Sequence, residues 1–156
     1  MQKYFILTAL LFIISAFKAG NDRPVHWRFD AKKTAQNEYD LIFTAKIDKN
    51  WHIYSQFLES DEGPIKTSFS FKTDNAFTLK EKVKEISKAI TEEDKSFNMK
   101  LTFFENEAIF VQHVIINAPL KTIKGTLNYM CCDNNHCLAP EDVEFNFNVT
   151  YETNKK

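Results

Sequence analysis

Apolar and polar residues alternate along most of this chain. Apolar positions recur every second residue from Val25 to Phe29 and again from Tyr39 to Ile47. Because successive side chains of an extended chain point to opposite faces, this pattern predicts strands with one face in the core. Similar segments, separated by turn residues, predict further strands at 51–56, 65–71, 77–86, 101–103, 108–116, 125–129 and 143–151.

Polar segments separate these predicted strands. Residues 31–38 are predicted to form a loop or short turn, and Thr91–Lys95 a charged, solvated loop. Glu105–Glu107 is predicted as a hairpin turn between two strands. Segment 77–86 also carries apolar residues at a helix-like spacing, although we favour a strand there. Eight or nine short strands without a repeated unit predict an all-β, antiparallel sandwich.

Length and charge narrow the function classes. The 156 residues are enough for one domain with a core, and the 15 phenylalanines among them favour a strand-rich interior. The formal net charge is -1, with acidic and basic residues interspersed. The basic surface that nucleic-acid binding needs is therefore missing, and nucleic acid is not expected as a partner. We expect a monomer.

The amino-terminal segment predicts export. Residues 1–20 combine a basic start, the apolar run Phe5–Phe17 and small residues, which is typical of a secretory signal peptide. Phe17 occupies a cleavage-site position where a small residue is preferred, so an uncleaved anchor stays open as an alternative. We expect residues 21–156 to form the mature domain in an exported compartment that permits disulfides.

All three cysteines lie within seven residues. Cys131, Cys132 and Cys137 are an odd set, which does not suit a framework of structural disulfides. A bridge to Cys137 from either of the other two closes a very short loop, and such bridges stabilise weakly and are more often redox-active. His136 adjoins Cys137, and an imidazolium there would favour its thiolate, whereas Asp133 would oppose it. The pattern favours a redox pair.

Two other interpretations remain open at this point. The bridge would act as a structural clip if it only closed the loop. A metal site would make the chain a zinc or copper(I) chaperone or binding module, without enzymatic activity. The soft ligands of such a site would be Cys131, Cys132, His136 and Cys137. Their spacing matches none of the usual zinc pairs, so a metal is not expected. No cofactor is expected either.

The cysteine motif is Tyr129–Cys132 with Cys137–Pro140, and two further motifs are Trp51–Gln56 with Gly63–Ile65 and Phe97–Lys100. All three resemble motifs of the N-terminal periplasmic domain of the thiol:disulfide interchange protein DsbD. The cysteine motif is similar to that family's active-site hairpin, the Trp51 motif to a strand and turn near the front of the domain, and the Phe97 motif to its cap loop. The resemblance covers most of the chain, from about Val25 to about Thr150.

The resemblance implies an immunoglobulin-like sandwich with a cysteine pair on a hairpin beneath a cap loop. Cys132 and Cys137 would be the catalytic pair. Phe97 would be the aromatic residue of the cap that lies over the disulfide and opens for partners. Tyr54 and His52 would line the site, with His52 standing where better-known members carry a tyrosine.

The resemblance also implies partners. A thioredoxin-like or membrane electron-transfer protein would reduce the pair, which would then reduce oxidised exported proteins. Whether the chain itself counts as a protein-disulfide reductase is left open by the sequence. The membrane-spanning and thioredoxin-like parts of full-length DsbD are absent from this sequence, so the electrons are expected from a separate protein.

Cys131 has no counterpart in the family pattern. Strand alternation prevents Cys131 and Cys132 from both facing Cys137. Leu127 and Tyr129 share the face of Cys131. If that face is core, as two apolar residues suggest, Cys131 is a buried and inert small hydrophobe.

Overall fold

The fold consists of strands alone over the part of the chain that the structure describes. This computed structural model describes residues 23–60, 62–72, 74–95 and 97–153, so the predicted signal peptide at 1–20 lies outside the described residues. No helix in the described ranges is long and apolar enough to cross a membrane. The strands are β1 (Val25–Ala35), β2 (Glu38–Ile47), β3 (His52–Tyr54), β4 (Ser68–Phe71), β5 (Phe77–Glu85), β6 (Ile90–Asp94), β7 (Met99–Glu105), β8 (Glu107–Ile116), β9 (Thr122–Tyr129), β10 (Cys131–Cys132) and β11 (Glu141–Asn148).

The strands form three antiparallel sheets around one main core. Their orders are β1-β2-β8-β5, β10-β3-β7-β6 and β11-β9-β4, called here the β2, β3 and β9 sheets. All three contribute buried side chains to the same cluster, exemplified by Phe110, Phe104 and Phe147. The all-β antiparallel sandwich predicted from the alternation is therefore confirmed.

Phe43 lies at the centre of this core. Its side chain is fully buried on β2 and contacts five other phenylalanine rings at centroid distances of 4.7–6.2 Å. Aromatic pairs of this kind contribute about 0.5–1.5 kcal/mol each beyond the burial of their area. The five rings, from β1, β4 and β11, are Phe29, Phe69, Phe71, Phe145 and Phe147. Their contacts with Phe43 join the β2 sheet to the β9 sheet.

The chain changes sheets immediately before the cysteines. β9 pairs with β4 and β11, whereas β10 pairs with β3 in the neighbouring sheet. Met130 is the one residue between β9 and β10. The sharp passage from one sheet to the next places the cysteine hairpin at an edge of the β3 sheet, where it can reach the surface.

Two predicted loops are partly strand. The loop expected at 31–38 is reduced to a turn at Gln36–Asn37, where Asn37 adopts a φ of 59°, because β1 continues to Ala35. Most of the predicted loop Thr91–Lys95 is β6, paired with β7. Both segments lie at sheet edges and expose both faces, so no buried side marks them with alternating apolar residues.

The predicted hairpin at Glu105–Glu107 is also wrong. The chain does turn there, at Asn106 with a φ of 61°. However, β7 pairs with β3 and β6 while β8 pairs with β2 and β5, so the turn is a corner between two sheets. Alternation gives the strands and their faces, but it does not say which strands pair.

The ambiguous segment 77–86 forms a strand, as predicted. β5 pairs with β8, and its register shifts between Lys80 and Lys84. Glu81 adopts a φ of 60° within this bulge. A bulge adds residues on one strand only, which explains why the apolar residues of this segment depart from a period of two.

Candidate redox site

A disulfide joins Cys132 to Cys137 across a tight hairpin, with Cα atoms 4.0 Å apart. The Asp133 N–H donates to the His136 carbonyl and the Leu138 N–H to the Cys131 carbonyl, both at 3.0 Å. These bonds flank the two cysteines, which therefore form a non-hydrogen-bonded pair, the arrangement in which opposite Cα atoms come closest. The backbone pairing thus places the two cysteines directly opposite each other.

Asp133 shapes the turn of this hairpin. Its Oδ1 accepts the backbone N–H groups of Asn135 at 2.7 Å and His136 at 2.8 Å, an arrangement typical of Asx turns. These two bonds lower the pKa of the Asp133 carboxyl. The Nδ1 of His136 lies 3.1 Å from the same oxygen, and its ring packs against Trp51 in a T-shaped arrangement with centroids 5.4 Å apart. His136 is therefore held at the turn by a carboxylate and an indole.

The two bridged cysteines differ in exposure. Cys137 is exposed, whereas Cys132 is 2% exposed. Cys132 packs with Tyr54 and Leu101 in a small apolar cluster on the outer face of the β3 sheet. A sulfur nucleophile approaching from solvent would therefore reach the Cys137 side of the bridge first. Partly buried side chains complete the cluster: Leu58, Met99, Phe103 and Met130.

His52 faces the disulfide from the neighbouring strand. The register of β3 and β10 places His52 directly opposite Cys132, so both side chains lie on the same face. Tyr54 is two residues further along β3 and shares that face. Its hydroxyl lies 3.1 Å from the His52 Nε2, and the His52 ring packs against Phe103 with centroids 4.9 Å apart. The structure therefore brings Cys132, His52 and Tyr54 together.

Burial controls the protonation of this pair. It lowers the pKa of His52 and raises the pKa of Tyr54 to about 12. Near neutral pH, the imidazole is therefore mostly uncharged and the phenol keeps its proton. Three nearby carboxylates raise the pKa of His52 and so oppose the effect of burial: Glu105, Asp94 and Asp133.

A cleft of about 220 Å³ opens beside His52 and Tyr54. Leu101, Phe103 and Glu105 of β7 share one strand face in this cleft, as their period of two requires. None of these three residues is among the site residues predicted from the sequence. Alternation along β7 puts them on one face, but only the pairing of β7 with β3 places that face beside the cysteines.

Phe97 lies in the connection between β6 and β7, at the end of the hairpin that these strands form. Its side chain is 38% exposed, and its N–H donates to the Asp94 Oδ1 at 3.0 Å. The next residue, Asn98, adopts a φ of 51°, which tightens the turn. Phe97 is therefore an exposed aromatic on the sheet that carries the site, and its role as a cap stays a prediction.

Cys131 lies on the other side of the sheet from the disulfide. It is a free cysteine, 1% exposed, and belongs to the main core together with Leu127 and Tyr129. Burial raises the pKa of its thiol, which keeps the sulfur protonated. The predicted placement of Cys131 on a core face is confirmed.

The side chains proposed for a metal site do not converge. Cys132 and Cys137 are joined to each other, and Cys131 points to the opposite face. Across the described ranges, no group of three or more histidine, cysteine or acidic side chains is arranged to hold a metal ion.

Comparisons with known proteins identify the family and the fold of this chain. Residues 22–149 match the family described as thiol:disulfide interchange protein DsbD, N-terminal. No curated protein matches this chain in sequence. A similar solved structure is the reduced N-terminal domain of DsbD from Neisseria meningitidis, at 20% identity and a TM-score of 0.51, covering 78% of this chain and 85% of that one.

The N-terminal periplasmic domain of ScsB from Proteus mirabilis is also similar, at 13% identity and a TM-score of 0.60, covering 82% of this chain. This chain spans about half, 47%, of that ScsB chain. At such identities the two structures support the fold alone, and the predicted immunoglobulin-like sandwich is confirmed. Because the family match covers most of the sequence, the chain belongs to the family of the N-terminal domain of thiol:disulfide interchange protein DsbD.

Proposed function

We propose that this chain is an exported thiol:disulfide interchange domain that carries reducing equivalents on Cys132 and Cys137. A membrane or thioredoxin-like partner would reduce the pair, and the dithiol would then reduce oxidised periplasmic proteins. The observation that carries this proposal is the disulfide itself, which bridges one exposed and one buried cysteine on a short hairpin of a family member.

The small loop supports a carrier rather than a clip. The bridged residues are five apart in sequence, and closing so short a loop contributes only about 2 kcal/mol by chain entropy. The main core packs through three sheets and contains neither Cys132 nor Cys137. The disulfide can therefore open and close while the domain stays folded.

Reduction would proceed by two exchanges. A partner thiolate attacks the Cys137 sulfur, forming a mixed disulfide, and the electron pair of the broken bond moves to the Cys132 sulfur, which takes up a proton. A second partner thiolate then attacks the partner sulfur of the mixed disulfide and releases Cys137 as a thiolate. The domain gains two electrons, the partner becomes a disulfide, and the reverse sequence reduces a substrate disulfide.

Residues around the pair would control access to it. We assign Phe97 the cap over the disulfide, and Tyr54, His52 and His136 the lining of the site. Tyr54 supports this assignment through its contact with Cys132 in the small apolar cluster, and Phe97 through its exposed position on the same sheet. A Phe97→Ala variant should react faster with a small disulfide such as oxidised glutathione, and an unchanged rate would remove Phe97 from this role.

The reduction potential tests the central claim. Equilibration with glutathione buffers and quantification of the two redox forms should give a moderately oxidising value. A potential below about -300 mV would identify an inert structural bridge instead.

Trapping identifies the partners. In a Cys132→Ala variant, Cys137 has lost its bridging partner and Cys131 is buried on the opposite face, so mixed disulfides with partners should accumulate. The matched control, Cys132→Ala combined with Cys137→Ala, keeps the buried Cys131 and should capture nothing. Equal capture by both variants would contradict a function for Cys137.

Location is tested separately. We propose that residues 1–20 direct export and that 21–156 form the periplasmic domain. Amino-terminal sequencing of the protein recovered from the periplasm should begin near residue 21. A protein that remains in the cytoplasm would contradict this part of the proposal.

A further inference from the structure

His52 and Cys132 lie directly opposite each other on adjacent antiparallel strands. Residues in such positions have Cβ atoms about 4.5–5.5 Å apart. Cys132 is 2% exposed, which leaves water little access to its sulfur. A buried thiol that must lose a proton therefore needs a neighbouring side chain to take it.

A hydrogen bond to Tyr54 restricts the orientation of the His52 ring. The His52 Nε2 and the Tyr54 hydroxyl are 3.1 Å apart. When Nε2 carries the imidazole proton and donates it to the phenol oxygen, Nδ1 keeps a free lone pair. Packing against Phe103 at 4.9 Å restricts the ring further. The neighbours of His52 thus hold an imidazole that has one nitrogen available as a base.

We propose that His52 is the general base of the exchange reaction, accepting the thiol proton of Cys132 as this sulfur closes the disulfide. This inference rests on the proposed function. In the mixed disulfide with a substrate, His52 removes the proton, and the electron pair of the Cys132 thiolate forms the bond to Cys137. The bond from Cys137 to the substrate sulfur breaks, and its electron pair leaves with the substrate thiolate. In the reverse direction, the imidazolium returns the proton to the departing Cys132 sulfur.

The groups that face His52 suit both directions. Tyr54 lies on its own strand, Glu105 on β7, Asp94 at the end of β6 and Asp133 on the cysteine hairpin. The three carboxylates favour the imidazolium, whereas burial favours the neutral ring and has the larger effect. His52 is therefore a base near neutral pH, and the carboxylates stabilise the cation that forms when it accepts the proton.

The test follows the closing step by itself. Reduced protein is mixed with oxidised glutathione, quenched with acid at intervals, and assayed by mass spectrometry for loss of the Cys137–glutathione adduct between pH 5 and 9. In the wild type, the rate should rise tenfold per pH unit up to a break below pH 6.5 and then level off, because the base must be neutral. In His52→Phe, the break should disappear, and the rate at pH 7 should fall about 10²-fold.

Two further variants separate catalysis from structure. His52→Gln keeps a polar side chain and should also lose the break, so loss in both variants with unchanged unfolding temperature supports the base. His26→Gln alters an exposed histidine on β1 and should keep the wild-type profile. A break that persists in either folded His52 variant overturns the inference while the exchange function stands. Absence of any exchange in the wild type would instead overturn the proposed function.

Discussion

Two adjacent cysteines should respond in opposite ways to the same substitution. Cys131→Ala removes a sulfur from the main core, and Cys132→Ala removes one from the disulfide. We expect Cys131→Ala to keep the exchange rate within about twofold of the wild type, since its side chain lies on the opposite face of the sheet. Cys132→Ala should abolish the disulfide and complete turnover with it.

Stability should separate the two variants as well. Cys131→Ala deletes one buried heavy atom, which costs about 1 kcal/mol by comparison with the loss of a buried methyl group. Cys132→Ala also loses a buried sulfur and, in addition, the bridge over five residues, which contributes about 2 kcal/mol by loop entropy, for a total of about 3 kcal/mol. Both variants should remain folded.

Urea unfolding under oxidising conditions measures these differences, and reaction of the reduced proteins with oxidised glutathione measures exchange. In the folded wild type, Cys131 should resist iodoacetamide because burial covers it and raises the pKa of its thiol. Equal loss of exchange in both variants would refute the reasoning. So would peptide mapping of the oxidised protein that finds Cys131 linked to Cys137.

Three other substitutions test the scaffold. Gly125→Ala should destabilise by about 3 kcal/mol in urea unfolding, because its Cβ would lie 2.2 Å from a carbonyl oxygen of β4. Glu85→Ala should cost about 1–3 kcal/mol in the same assay, since the buried Ser55 hydroxyl loses its bonds at 3.0 Å to both carboxylate oxygens. In an NMR titration, the amide shifts of the cysteine hairpin should follow the Asp133 carboxyl, with a midpoint below pH 3.8. The stabilising effect of the carboxylate is complete above pH 3.8 and is lost as the carboxylate protonates. Asp133→Asn should therefore remove the titration.

Matched controls make these tests specific. Gly63→Ala should cost less than about 1 kcal/mol, because its Cβ would meet the flexible end of Met99. Glu144→Ala, on the exposed side of β11, should change stability by less than about 0.5 kcal/mol. Similar effects for both glycines would contradict the steric argument, and similar effects for both glutamates would contradict the one from Ser55. An Asp133→Asn hairpin that still titrates would show that another group is responsible.

The sequence alone predicted much of the strand pattern. Alternation identified the core faces of β2 and β8, where buried positions such as Phe43 and Phe110 recur every second residue. It also placed Cys131 on a core face through its neighbours Leu127 and Tyr129. These predictions succeeded because the pleat of a strand is a local property, visible wherever one face is buried and the other is not.

Pairing between distant segments was decided by the tertiary structure. Nothing local to Glu105–Glu107 indicates that its two flanking strands enter different sheets, and nothing in the acidic run of β6 marks it as an edge strand. Motif resemblance pointed to His52 as a lining residue, but not to its position directly opposite Cys132. That juxtaposition joins residues 80 positions apart in sequence, and it depends on which sheet β10 enters after Met130. A pattern of period two records the faces of a strand, whereas the partners of that strand follow from how all the apolar faces are buried together.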